Sequence, residues 1–100
     1  MAYQKIKVPV DGEKITVNAD LSMNVPNHPI IPFIEGDGIG ADITPVMRSV
    51  VDASVLKAYG GKRSIVWMEV YCGEKANTLY GTYMPEETFN ALREFVVSIK

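Results

Sequence analysis

Cysteine and histidine are nearly absent from this sequence, and their scarcity excludes several kinds of site. One cysteine, Cys72, cannot form an intrachain disulfide or a metal site built on several thiolates. Little use of cysteine favours a reducing compartment, and we expect the protein to be cytoplasmic. One histidine, His28, lies between Asn27 and Pro29. Without a second histidine, we expect it at the surface rather than in a metal site or a catalytic triad.

Long apolar runs and an excess of charge of one sign are missing as well. The apolar runs are only a handful of residues long, so we expect no membrane-spanning segment. The first residues also lack the apolar stretch of a secretory signal peptide. Ten basic residues against twelve acidic ones give a formal net charge of −2. Because binding to nucleic acid or to a membrane surface needs clustered positive charge, we expect neither partner.

The rest of the composition is that of an ordinary globular protein. Of the 100 residues, 47% are hydrophobic and 22% are charged, which excludes a disordered or low-complexity chain. A chain of this length forms one small domain or a portion of a larger one.

Residues 1–29 are predicted to form an N-terminal β-hairpin and a connector. Apolar and polar residues alternate in Ile6–Val10 and again in Ile15–Val17, and Asp11–Lys14 between them contains an Asp-Gly turn signal. Pro9 cannot donate to a strand ladder, so its strand is expected at an edge. Residues 18–29 are polar and rich in asparagine, as in a connecting segment.

Residues 30–100 predict an α/β fold with the order β-α-β-α-β. The predicted elements are a strand at Ile30–Ile34, a helix with apolar positions from Ile43 to Tyr59, a strand at Ser64–Tyr71, a short helix near Glu74–Tyr80, a helix opened by Pro85, and a strand at Val96–Ile99. Pro45 is expected in the first turn of the first helix, and Gly60 just past its end. The second strand is apolar on both faces, as in a parallel sheet covered by helices on both sides. Alternation of strands and helices predicts such a sheet.

The sequence stops where a parallel sheet would place its ligand site. In open α/β sheets, ligands bind beyond the carboxyl ends of the strands, and no loop follows the last predicted strand. We therefore expect residues 30–100 to be the first, incomplete portion of a larger α/β domain. Lys100, at the end of that strand, is a candidate for contact with an anionic ligand, the alternative being a solvated chain end.

A glycine-rich loop follows the first predicted α/β strand. Gly36–Ala41 fits the pattern G-x-G-x-x-[GA] between a strand and a helix, where backbone amides can hold an anion. The pattern also requires an acidic residue about 20 positions further on, and Glu69 comes later than that. Both a nucleotide contact and a plain tight turn therefore remain open from spacing alone.

Three carboxylates near this loop have a structural and a functional interpretation. Glu35 and Asp37 flank Gly36 and could form an acid–base pair or bind a metal, but carboxylates are favourable beside any helix start. Glu69 interrupts an apolar strand, so it must be paired or lie near an edge, because an unpaired buried carboxylate is costly. The structural interpretation is favoured for all three.

Two stretches resemble a known family. Asn27–Pro45, with Ile34–Gly40 at its centre, closely resembles the start of the β-decarboxylating dehydrogenases, which include isocitrate, isopropylmalate and tartrate dehydrogenases. Trp67–Lys75 and the N-terminal segment resemble the bacterial NADP-dependent isocitrate dehydrogenases. Isopropylmalate dehydrogenases typically lack that long N-terminal segment. The resemblance covers essentially the whole sequence, but only the opening quarter or so of the family's chains.

The resemblance implies a fold, an activity and two site residues. It implies part of the isocitrate/isopropylmalate dehydrogenase-like fold, in a homodimeric enzyme of the tricarboxylic acid cycle. Such an enzyme oxidises isocitrate with NADP and decarboxylates the product to 2-oxoglutarate with Mg²⁺ or Mn²⁺. The family does not use the usual dinucleotide fingerprint, so the pattern match is partly a coincidence of form. Ile39 is implied to bind the cofactor near its nicotinamide, Lys100 to bind the substrate, and Glu69 to be structural.

The catalytic and metal-binding residues of the family lie beyond Lys100. No catalytic residue and no metal ligand is therefore assigned to this chain. The 100 residues alone are expected to be inactive and to bind no cofactor tightly. The alternatives are a portion of an isopropylmalate or tartrate dehydrogenase and, in another class, a non-catalytic binding module.

Overall fold

Two short parallel strands lie at the centre of the protein, and helices cover both of their faces. The computed structural model describes residues 3–100. In chain order the elements are β1 (Thr16–Val17), β2 (Met23–Asn24), β3 (Ile30–Phe33), α1 (Gly40–Tyr59), β4 (Val66–Glu69), α2 (Glu74–Tyr80) and α3 (Glu86–Glu94). The predicted mixed α/β class is confirmed, and α2 has the predicted bounds. None of the helices described here combines the length and apolarity needed to cross a membrane.

The parallel register of β3 and β4 sets the layout of the whole chain. Ile30 lies opposite Val66, and Phe33 lies opposite Glu69. Backbone groups on the other side of β3 bind two further segments. The Glu13 N–H donates to His28 O at 2.9 Å, and Glu13 O accepts the Ile30 N–H at 2.8 Å. In the same way, the Ile99 N–H donates to Pro32 O at 3.0 Å, and Ile99 O accepts the Ile34 N–H at 2.9 Å. The sheet is therefore widened at its start by residue 13 and at its end by residue 99.

The third strand predicted at Val96–Ile99 is reduced to a single parallel bridge between Ile99 and Phe33. The strand prediction was wrong for the residues before Ile99. After α3 ends, Val96 adopts a left-handed φ of 71°, which a β-branched residue rarely does. The chain turns sharply there to bring Phe95 into the core, so extended pairing begins only at Ile99.

The N-terminal hairpin also lies elsewhere than predicted. Ile6–Val10 forms no strand, and Ile15–Val17 does not pair with it. Instead, β1 pairs with β2 in antiparallel register, so the hairpin occupies part of the predicted connector. Polar side chains close its turn, because the Asp20 carboxylate accepts bonds from the Ser22 amide and hydroxyl at 3.0 and 2.6 Å.

Asp11-Gly12, which predicted a hairpin turn, contains glycine for a different structural reason. A Cβ on Gly12 would lie 2.7 Å from Ile30 Cγ1 and 2.9 Å from Val66 Cβ. The backbone at Gly12 approaches the start of the sheet too closely for any side chain. Glycine is required here by close packing rather than by a tight turn.

Helix α1 ends where the sequence indicates but begins earlier, at Gly40. Gly60 stops it in a left-handed conformation with φ 60°, and its N–H donates to Leu56 O at 2.8 Å. Pro45 differs from the prediction, because it lies in the second turn rather than the first. Its missing N–H therefore removes the bond that the Ala41 carbonyl would otherwise accept.

The two faces of the sheet bury different partners, as the apolar pattern of the second predicted strand indicates. The principal core packs one face against α3 and the N-terminal segment and consists of Ile6, Ile30, Ile34, Met68, Val70, Ala91 and Phe95. On the other face, Phe33 and Trp67 meet edge to face at 6.0 Å. The Arg48 guanidinium of α1 stacks 4.5 Å from the Phe33 centroid, and Trp67 Nε1 donates to Asp52 at 2.9 Å.

One side of α1 is apolar but remains uncovered. We call Ile39, Ile43, Val46 and Val50 the outer face of α1, since their spacing of three or four residues places them on one side of the helix. Their exposed fractions are 72, 57, 60 and 59%. The described chain therefore packs against the side of α1 that carries Arg48 and Asp52 and leaves this apolar side uncovered.

The N-terminal segment is anchored to α3 by a single carboxylate. Glu87 accepts bonds from the backbone N–H groups of Gln4, Lys5 and Ile6 at 2.7, 3.0 and 3.2 Å, and from the Tyr80 hydroxyl. Burial opposes ionisation of this carboxyl, but these hydrogen bonds together outweigh it and lower the pKa of Glu87 below its usual 4.5. Ionised Glu87 therefore stabilises the attachment of the segment.

Replacing Glu87 with Ala should release the N-terminal segment. Hydrogen bonds to a charged group contribute about 1.5 kcal/mol or more, so amide hydrogen exchange in residues 3–9 should become at least about tenfold faster. Mass spectrometry of that peptide measures the change. The exposed neighbour Glu86 provides the control, and Glu86→Ala should leave the exchange unchanged.

The same anchor should depend on pH. A lowered folded-state pKa means that its contribution is complete above pH 4.5 and is lost as the pH falls through the lowered value. The difference between Glu87→Ala and the parent sequence should therefore shrink on acidification. A difference that stayed constant would show that charge on Glu87 is not what holds the segment.

Candidate functional site

The glycine loop, residues 36–39, leaves the carboxyl end of β3 and leads into α1. Gly36 and Gly38 have φ values of 83° and 59°, a region that residues with a Cβ seldom adopt. The Gly40 amide donates to Asp37 O at 3.0 Å. Thr44 in α1 donates its hydroxyl to Glu35 O at 2.8 Å, which ties the first turns of the helix to the end of the strand.

Ile39 lies at the tip of this loop, immediately before α1. It is 72% exposed, more than any other residue of the outer face. Its carbonyl accepts the N–H of Ile43 at 3.0 Å, which joins the backbone at Ile39 to the first turn of α1. The exposed aliphatic side chain can make an apolar contact at this position.

Lys100 lies at the same end of the sheet, next to the start of α1. A cavity of about 150 Å³ is lined by Ile34, Ile43, Thr44, Met47, Ile99 and Lys100. Lys100 is exposed and follows the residue that bonds to the end of β3. The fold therefore brings the exposed Ile43 and Lys100 side chains to one cavity at the first turns of α1, whereas Ile39 lies just before the helix and does not line that cavity. An ammonium at this cavity can bind a carboxylate.

Glu35 and Asp37 do not form a convergent acid–base pair. The Asp37 carboxylate accepts the Glu74 N–H at 3.1 and 3.2 Å, whereas Glu35 Oε1 lies 3.9 Å from Lys75 Nζ. Each therefore has its own structural partner at the start of α2. Residues 3–100 contain no group of three His, Cys, Asp or Glu side chains that could hold a metal ion.

Glu69 is paired, as the cost of an isolated carboxylate in a strand requires. Lys75 Nζ donates to Glu69 Oε2 at 2.6 Å. The hydrogen bond to Glu69 raises the pKa of Lys75, against the opposing effect of burial. Sequence reasoning did not single out Lys75, because only the parallel pairing of the strands brings it between Glu69 and Glu35.

Neither His28 nor Cys72 lines the cavity beside Lys100. His28 Nδ1 lies 2.9 Å from Ser64 Oγ, at the opposite end of β3 from the glycine loop. Cys72 is a free, partly buried thiol in the segment between β4 and α2. Both have ordinary structural surroundings.

Comparison with known proteins identifies the class of enzyme with which this chain shares its sequence. No family model matches it. The chain is 75% identical over its full length to isocitrate dehydrogenase [NADP] 1 of Psychrobacter sp. (strain 13A). It is 66% and 60% identical to the isocitrate dehydrogenases [NADP] of Pseudomonas aeruginosa and Coxiella burnetii. The chain spans about a quarter of the length of these curated relatives, 24% in each case.

The chain is therefore similar over its whole length to proteins named as NADP isocitrate dehydrogenases, and it matches about a quarter of the length of each. The family resemblance found in Asn27–Pro45 and Trp67–Lys75 is thereby confirmed.

Proposed function

We propose that this chain is part of an enzyme that oxidises isocitrate with NADP and decarboxylates the product to 2-oxoglutarate, a step of the tricarboxylic acid cycle. The observation that supports this most strongly is 75% identity, over the whole chain, to a protein named as an NADP isocitrate dehydrogenase. The remaining three quarters of such a polypeptide supply the catalytic groups. The enzyme is proposed to be a cytoplasmic homodimer.

Within that enzyme, Ile39 is proposed to pack against the nicotinamide end of NADP. NADP accepts a hydride from the substrate. The exposed position of Ile39, directly before α1, suits an apolar contact that orients a ring. Residues of this chain thus contribute to binding and orientation of the cofactor, whereas tight binding requires the rest of the polypeptide.

Lys100 is proposed to bind a carboxylate of isocitrate. Its ammonium is exposed beside the cavity at the start of α1, and an ammonium–carboxylate hydrogen bond is stronger than one between neutral groups. Mg²⁺ or Mn²⁺ would polarise the substrate oxygen. We propose that its ligands come from the part of the polypeptide outside this chain, where the family resemblance places them.

The decisive experiment uses the full-length polypeptide that carries this sequence. Its intact mass is measured first, and formation of NADPH from isocitrate with Mg²⁺ is then followed by absorbance. Isocitrate-dependent activity supports the proposal, whereas a preference for isopropylmalate or tartrate replaces the substrate. A natural polypeptide of 11.0 kDa, the mass of these 100 residues, would overturn the proposal in favour of a binding module, because the chain alone is expected to be inactive.

Substituting Ile39 with Asp should weaken cofactor use more than folding. Losing the apolar contact and adding a carboxylate near an anionic cofactor should raise KM for NADP by at least about tenfold, as expected for more than 1.4 kcal/mol. Steady-state kinetics and the melting temperature are compared with those of Ile39→Val, which keeps most of the contact. Equal losses of cofactor affinity and of stability would show that the loop is only a turn.

Substituting Lys100 with Met should selectively impair binding of isocitrate. Removal of a charge-assisted bond costs about 1.5–3 kcal/mol, so KM for isocitrate should rise by about ten- to a hundredfold while KM for NADP changes little. Lys57→Met, in the exposed last turn of α1, is the matched control for loss of a surface lysine. A similar small effect of both substitutions would exclude Lys100 from the substrate site.

Lysine substitutions on the outer face of α1 should distinguish a segment from an independent module. In the 100-residue chain alone, Val46→Lys with Val50→Lys should increase the monomeric fraction, because these exposed valines then no longer drive association. In the full-length polypeptide the same pair should lower the melting temperature by several degrees, measured by calorimetry.

The control for this pair is Ser49→Lys, an exposed polar position on the same helix. It should have little effect on either protein. If the unsubstituted 100-residue chain were instead monomeric and unfolded cooperatively, the module alternative would be supported.

A further inference from the structure

The start of α2 holds the glycine loop in place. Helix N-termini carry backbone N–H groups without helical partners, and α2 satisfies one of them with a carboxylate from a distant part of the chain. Both oxygens of Asp37 lie within hydrogen-bond distance of the Glu74 N–H, at 3.1 and 3.2 Å. No residue of α2 or of its own N-cap supplies a side-chain cap.

Gly73 allows this contact to form. It has a left-handed φ of 85°, and a Cβ at this position would collide with the Asp37 carboxylate, including its Cγ at 3.0 Å. Any side chain at residue 73 would therefore push Asp37 away from the Glu74 amide. The conformation and the close approach both require glycine.

A second connection from α2 reaches the residue before the loop. Lys75 Nζ bonds to Glu69 Oε2 at 2.6 Å and lies 3.9 Å from Glu35 Oε1. Glu74 thus contacts Asp37 within the loop, and Lys75 lies near Glu35, which precedes the loop. Between Asp37 and α1, Gly38 and Ile39 remain exposed.

α2 is itself firmly positioned. Ala76 is fully buried, and the Gly73 N–H donates to Tyr83 O at 2.8 Å. Tyr71, which precedes the helix, and Tyr80, its last residue, pack with ring centroids 6.0 Å apart. Because the helix cannot shift freely, the contacts it makes fix the loop relative to the sheet.

We infer that Asp37, seated on the start of α2, is a positioning residue that holds Ile39 in the place where it contacts the cofactor. This inference rests on the proposed function, in which Ile39 binds NADP. Asp37 acts through the loop backbone and does not itself touch NADP. Loss of its bond to Glu74 should therefore change cofactor affinity without changing the chemical step.

The test uses the full-length polypeptide and two independent substitutions, Asp37→Ala and Gly73→Ala. The first removes the carboxylate, and the second displaces it. Each should raise KM for NADP about five- to tenfold, as expected for a hydrogen bond of about 1 kcal/mol, with kcat and KM for isocitrate within about twofold of the parent. Asp37→Asn keeps one acceptor oxygen and should restore most of the affinity. Asp42→Ala removes an exposed carboxylate from the first turn of α1 and is the control for charge alone.

Amide hydrogen exchange of the peptide around Glu74 provides a readout independent of catalysis. Exchange should become faster in Asp37→Ala and stay unchanged in Asp42→Ala. The inference is overturned if Asp37→Ala behaves like Asp42→Ala. It is also overturned if Asp37→Ala lowers kcat and raises KM for NADP and KM for isocitrate to a similar extent. Absence of isocitrate-dependent NADPH formation in the unsubstituted polypeptide would instead refute the proposed function, and the exchange data would still report on the contact between loop and helix.

Discussion

Parallel pairing of β3 with β4, in the register that sets Phe33 opposite Glu69, brings two distant segments to the same edge of the sheet. The glycine loop follows one strand, and the start of α2 follows the other. Because parallel strands end on the same side, Asp37 meets Glu74 and Lys75 lies between Glu69 and Glu35. Ile99 joins the same edge through Phe33 and carries Lys100 with it. The candidate site is thus a consequence of strand register.

Acidic side chains make many of the hydrogen bonds and ion pairs that connect the segments of this chain. Glu87 and Glu94 are seven residues apart and therefore lie on one side of α3. Glu87 binds the backbone of Gln4–Ile6, and Glu94 binds Tyr3 and Lys14. Asp37 caps α2, and Asp20 closes the turn between β1 and β2. These carboxylates replace hydrogen bonds that regular secondary structure would otherwise supply. They explain how a chain with such short strands keeps its long connections ordered.

The outer face of α1 is an apolar surface that the described chain leaves uncovered. Four aliphatic side chains remain more than half exposed on a helix whose other side is packed on Phe33 and Trp67. Covering them would contribute on the order of 1 kcal/mol each from apolar burial. Relatives about four times as long contain enough chain to provide that cover. This arrangement accords with a segment that reaches its full stability inside a larger protein.

The sequence by itself determined the elements whose signals are local. The apolar spacing and Gly60 indicate α1, and the apolar run Ser64–Tyr71 indicates the strand found at Val66–Glu69. The motif around Gly36–Gly40 indicates both the loop and the family resemblance. These features depend on neighbouring residues along the chain, so periodicity and turn chemistry suffice to find them.

Tertiary structure alone decided the features that depend on distant contacts. Gly12 serves the sheet rather than a hairpin because Ile30 and Val66 lie against it, and only Ile99 of the last predicted strand pairs because Val96 turns Phe95 into the core. Likewise, the contact of Asp37 with α2 and the pairing of Lys75 with two carboxylates depend on the alignment of β3 with β4. Local sequence cannot encode such pairings, because each partner is specified by packing between segments far apart in the chain.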